Sequence, residues 1–99
     1  MNPNALMKQV QNLQKEMLKE QDKINNTIFE GESSLVKVKI NGKKELTEIK
    51  IENEGTLDAD DIDALEDMII IAVNNAMKKV DQETEKKMGK YTNGIPGLF

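Results

Sequence analysis

Residues 35–51, LVKVKINGKKELTEIKI, decide the fold. Val36, Val38 and Ile40 alternate with Lys37 and Lys39, the period of a half-buried strand. Asn41-Gly42 follows, a dipeptide that tolerates positive φ at both centres of a type I′ turn. As a two-residue loop it pairs Ile40 with Lys43 and Val36 with Thr47. The pleat then places Val36, Val38, Ile40, Thr47, Ile49 and Ile51 on one face, with Leu35 and Leu46 on the other among lysines and glutamates. A hairpin with one apolar side requires a cover.

Working outward, residues 3–26 read as a helix. Asn2 is placed to cap it, and Pro3 falls at the first turn, where its missing N–H is not needed. Leu6, Val10, Leu13, Met17 and Ile24 form a heptad-like seam that Glu20 interrupts. Such a seam serves either core packing or pairing with a second subunit. Lys8, Lys15, Lys19 and Lys23 form another stripe, roughly opposite. Thr27 to Glu30 suits a short first strand, with residues 31–34, GESS, as the turn into the hairpin. The result is a three-stranded antiparallel meander, which Asn53-Glu54-Gly55 ends.

A second long helix follows, capped by Thr56 or Asp58, with acids crowding its positive end. Ile62, Leu65, Ile69, Ala72, Val73, Ala76 and Val80 make the face that covers the hairpin. Ile70, Ile71 and Met77 point elsewhere, toward a second neighbour that a partner subunit would supply. Lys79, Lys86 and Lys90 line a basic stripe near the helix end, with Lys78 and Lys87 as secondary members. Gly89 is the expected stop, and residues 91–99 the expected flexible tail. The fold class is α+β: a helix, a three-stranded meander and a long helix, in one domain spanning residues 1–99.

Composition narrows the chemistry. The chain has no Cys and no His, which removes the commonest metal ligands and the commonest general base. The longest apolar run, residues 68–73, is far below the ~20 residues of a membrane span. The segment DADDID, residues 58–63, has Ile62 and Asp63 where a calcium loop needs a ligand and a glycine. No phosphate-cradling glycine loop or nucleophile–base pair is present. Enzyme activity, a cofactor, a metal and a small-molecule substrate are therefore not expected. The net charge of −4 is unevenly spread. Residues 1–51 hold nine lysines against seven acids, residues 52–77 eight acids and no base, and residues 78–99 five lysines against three acids. Every basic residue is Lys, which suits phosphate contact more than the bidentate reading of guanine that Arg provides.

The order of these segments resembles the YbaB/EbfC family of bacterial nucleoid-associated DNA-binding proteins. The residues that carry the resemblance are LMKQVQNLQKEM (6–17), GESS and LVKVKINGKKELTEIKI (31–51), LEDMIIIAVNNAMKKV (65–80), EKKMGK (85–90) and GIPGLF (94–99). Two departures are visible. The segment 31–34 lacks an extra glycine usual there, and Ile51-Glu52-Asn53 stands where I-D-P often closes the hairpin. The resemblance implies a tweezer-shaped homodimer that contacts duplex DNA in the bacterial cytoplasm and nucleoid. With it, DNA contact is expected from the stripe lysines Lys8, Lys15, Lys19, Lys23, Lys79, Lys86 and Lys90, which otherwise read as a solvated face of the first helix and as charges favoured at the negative end of the second. Leu6, Val10, Leu13, Met17, Ile70, Ile71 and Met77 are the candidate dimer interface. The alternative is a structural adaptor that holds a protein partner through its Met-rich first helix or its tail.

Overall fold

A computed structural model describes residues 2–52 and 57–94. Five elements follow in order: α1 (Pro3–Asn25), β1 (Ile28–Ser33), β2 (Val36–Asn41), β3 (Leu46–Ile51) and α2 (Asp61–Gly94). The strands form one antiparallel sheet in the order β1-β2-β3, the expected meander.

Both ends of α1 are closed by side chains. Asn2 Oδ1 accepts the Asn4 N–H at 3.0 Å, and Pro3 takes the first turn. At the other end no glycine is used. Asn26 Nδ2 donates to the Asp22 carbonyl, Thr27 Oγ1 to the Lys23 carbonyl, and the Thr27 N–H to the Ile24 carbonyl. The last carbonyls, which a helix leaves without partners, are satisfied before the chain turns into β1.

β1 is longer than its sequence suggests. Gly31, Glu32 and Ser33 belong to the strand, and the turn is Ser34-Leu35, closed by the Ser33–Val36 pair. Ser34 carries the positive φ, 52°, at the first central position, as a type II′ turn requires.

The second turn corrects the type I′ expectation. Asn41 is paired with Glu45, so the loop is Gly42-Lys43-Lys44. The Asn41 carboxamide oxygen accepts the N–H groups of Lys43 and Glu45, and the Asn41 carbonyl accepts that of Lys44. Lys44 holds the left-handed conformation at φ 63°. This is the three-residue hairpin connection with its bulge. A second bulge follows at Thr47: Lys39 faces Glu48 while Ile40 faces Leu46. Thr47 Oγ1 donates to the Lys39 carbonyl, and Leu46 moves to the side of Ile40, away from the charged face. Gly42 serves a different purpose. A Cβ there would fall on the Ile24 carbonyl, so the loop tip is pressed against the end of α1.

The main core joins Val36, Val38, Ile40 and Phe29 of the sheet to Ala72, Ala76 and Val80 of α2. Gly31 sits among them, where a Cβ would collide with the Ala72 carbonyl and the Ala76 N–H. Small residues on both sides let helix and strand backbones touch. α2 therefore covers β1 and β2 but leaves β3 exposed along its whole length. Among the described residues, no polar or charged residue is buried. Ile40→Ala should cost about 2–5 kcal/mol by urea denaturation. A loss below about 1 kcal/mol would remove Ile40 from the core.

Three expectations for α2 change. Met77, read as pointing away, is half-buried against the sheet cluster, whereas Ile62, read as inward, is 52% exposed. Gly89 does not end the helix, which continues to Gly94 with Tyr91 buried, so the expected tail does not begin at Tyr91. The reason is a second cluster. Met88 and Tyr91 pack on Ile24 of α1, with Leu13 and Met17 against them, and this burial holds the helix past its glycine. Of the two cap candidates, Asp58 opens the helix: its Oδ1 accepts the Asp60 N–H, and Asp61 Oδ2 accepts the Asp58 N–H. Thr56, the segment Asn53-Glu54-Gly55 expected to end the sheet, and residues 95–99 of the tail lie outside the described residues.

Candidate nucleic-acid interface

α1 lies antiparallel to the last turns of α2. Ile24 meets Met88 and Tyr91, and Leu13 and Met17 reach the same cluster from earlier in the chain. The first ten positions of α1 make no such contact, and every side chain from Asn2 to Asn12 is exposed. The molecule measures 71 × 19 × 14 Å. Thirty-four residues make α2 about 51 Å long. Roughly 20 Å of the total is therefore the overhang of α1 beyond the end of α2.

This folding-back brings two basic stripes together. One groove is lined by Glu20, Lys23, Ile24, Thr27, Glu83, Lys86 and Lys87. Its neighbour is lined by Phe29, Lys79, Gln82, Glu83 and Lys86. Lys23 of α1 thus shares a groove with Lys86 and Lys87 of α2, and Lys79 joins Lys86 in the next. Lys15 and Lys19 stand further along α1, interleaved with Glu16 and Asp22 around Leu18. Lys8 lies on the overhang. Lys90 sits 5.0 Å from the ring centre of Tyr91, within cation–π range.

All seven candidate lysines are exposed. Among the described residues, the ion pairs are Lys37–Glu52, Lys39–Glu48 and Lys44–Asp81. None engages a candidate. Asp81, the first acid of the basic end, is thus taken by the hairpin tip. Lys37 and Lys39 of the sheet are paired within the chain, and the Glu52 carboxylate holds the Lys37 ammonium above its ordinary pKa.

The acidic segment is held away. Asp63 and Lys86 lie twenty-three residues apart on one helix, roughly 35 Å. The Debye length at physiological salt is about 8 Å, so a phosphate at Lys86 is largely screened from the first turns of α2. A net-acidic chain thereby carries a locally basic end.

The proposed interface residues divide by location. Leu13 and Met17 are already engaged within the chain, and Met77 belongs to the sheet core. Leu6, Val10, Ile70 and Ile71 remain exposed, as do Leu46, Ile49 and Ile51 of β3. Ile49 and Ile51 escape sequence reading, because the alternation shows that they face inward but not that α2 stops short of them, and Leu46 escapes it because the alternation puts it on the charged face. Lys87 also gains weight, since only the return of α1 places it opposite Lys23. No helix among the described residues is long and apolar enough to cross a membrane.

The model of the YbaB/EbfC DNA-binding family matches residues 1–95. A nucleoid-associated protein of Ligilactobacillus salivarius is 48% identical over 100 residues, covering 99% of this chain and 95% of that protein. One from Enterococcus faecalis is 43% identical over 99 residues, covering 98% and 94%. One from Clostridium novyi is 43% identical over 103 residues, covering 100% and 90%.

Proposed function

The chain belongs to the YbaB/EbfC DNA-binding family, and on that premise we propose that it binds duplex DNA as a homodimer with little sequence preference. Its place is the bacterial cytoplasm and nucleoid, where it contributes to nucleoid organisation and gene regulation. The observation that carries this reading is the groove in which Lys23, Lys86 and Lys87 converge without ion-pair partners among the described residues. Lysines there, with Lys79, Lys15, Lys19, Lys8 and Lys90 around them, track phosphates. The absence of arginine leaves base edges without their usual bidentate reader.

The dimer rests on the apolar surface that one subunit cannot bury. Ile49 pairs with Val38 and Ile51 with Val36, so both share the face that α2 covers elsewhere, yet Ile49 is 45% exposed. Ile62, Ile70 and Ile71 of α2 are exposed as well. An apolar area of this extent in a small chain asks for a partner, and a second copy supplies one. Leu6 and Val10 on the overhang extend the surface available for pairing.

Two measurements test the proposal. Light scattering should give twice the chain mass of 11.2 kDa. With about six phosphate contacts, affinity for random duplex should fall roughly 10³-fold between ~50 and ~200 mM salt, by counterion release. A slope near zero would overturn the phosphate-contact mode. A salt-insensitive complex with a protein, without any shift of DNA, would favour the adaptor.

A further inference from the structure

We infer that Glu83 is an electrostatic brake built into the nucleic-acid interface, a residue that sets how tightly the lysines around it hold phosphate. The inference rests on the DNA-binding reading above and deepens it. Glu83 and Lys86 are common to the two adjoining grooves, so this one carboxylate stands among Lys23, Lys79, Lys86 and Lys87. On α2 it is four residues after Lys79 and three and four before Lys86 and Lys87, the spacings that make helix neighbours. Yet it forms no ion pair with any of them. Its Oε1 is buried, with no hydrogen-bond donor of the described residues in reach. One carboxylate oxygen is therefore turned from solvent while the four lysines stay exposed.

The consequence follows from charge alone. A phosphate drawn to Lys23 and Lys86 also approaches the Glu83 carboxylate. The repulsion acts within about a Debye length and at a partly buried group, so salt screens it less than it screens exposed pairs. The acids of the first turns of α2 are too distant to act this way. Glu83 lowers affinity locally and keeps binding reversible, and its buried Oε1 accepts no hydrogen bond from the described residues that a substitution would break.

The test compares two substitutions that change net charge equally. Glu83→Gln and Glu66→Gln each remove one negative charge, and Glu66 lies exposed about 30 Å along the same helix from Lys86. Fluorescence anisotropy on a random duplex at ~50 mM salt should show Glu83→Gln binding about 3- to 10-fold tighter. Glu66→Gln should stay within about twofold, and Glu83→Asp, which keeps the charge, should also stay near the parent. Equal gains for both glutamine variants would assign the effect to net charge and overturn the inference. No gain, or a loss, in a folded Glu83→Gln would do the same. Lys86→Ala separates the two levels. If it weakens binding while Glu83→Gln does nothing, only the brake fails. If it too is silent, the lysine groove and the brake fall together.

Discussion

Replacing Lys23, Lys86 and Lys87 together by Glu is expected to lower duplex affinity by about 10³-fold or more at ~50 mM salt. The three ammonium groups come from two helices and line one groove, so the substitution removes a contiguous patch of charge. Each lost phosphate contact forfeits about one counterion's release, and at ~50 mM salt that is close to a tenfold loss per contact. The three introduced carboxylates then add repulsion to Glu20 and Glu83, which already line the groove. A matched variant on the outer face of the sheet, Lys37, Lys39 and Lys50 to Glu, lowers net charge equally and should cost far less. Lys37 and Lys39 are already paired with Glu52 and Glu48. Gel shift at graded salt, with circular dichroism to verify helix content, decides between them. A drop of less than about tenfold in the groove variant would clear these lysines of phosphate contact.

Gly31→Ala is expected to be the most damaging single-atom addition to the fold. The new Cβ has to occupy the place of the Ala72 carbonyl oxygen and lies 2.7 Å from the Ala76 nitrogen. These are backbone atoms of a helix, and no rotamer change moves them. Either α2 lifts from β1 or the strand buckles, and both open the cluster of Val36, Val38, Ile40 and Val80. Overpacking of this kind costs about 3 kcal/mol. In a domain of this size that lowers the melting temperature by roughly 12–24 °C. Thermal unfolding followed at 222 nm gives the answer, and a shift of only a degree or two would mean that α2 does not rest on β1 as described.

The face of the hairpin was legible in the sequence although its loop was not. The two-residue loop and the observed connection differ by four residues in register over most of the hairpin, an even number. Val36, Val38, Ile49 and Ile51 therefore share a face either way. Asn41-Gly42 misled because its glycine answers to the Ile24 carbonyl, a neighbour that no local window contains. The same holds for Gly89: its helix-stopping tendency loses to Met88 and Tyr91 packing on α1. The caps of α1 and the lysine stripes depend on short spacings and could be read directly. The meeting of Lys23 with Lys86 and Lys87 could not, since spacing within each helix does not say that the helices fold back on one another. Glu83 did carry a signal, its position three and four residues from flanking lysines. On a helix surface that pattern ordinarily means a solvated ion pair, and only the buried oxygen shows otherwise.

The cross-section of 19 × 14 Å leaves room for little more than one helix laid on one sheet, and the described core clusters are built from apolar and aromatic side chains. The apolar burial that holds the described fold is thus far less sensitive to ionic strength than the proposed grip on a polyanion. Folding and association answer to separate variables. On the proposed function, a cell that swells or dehydrates changes how much of the chromosome is occupied far more than it changes how much of the protein survives.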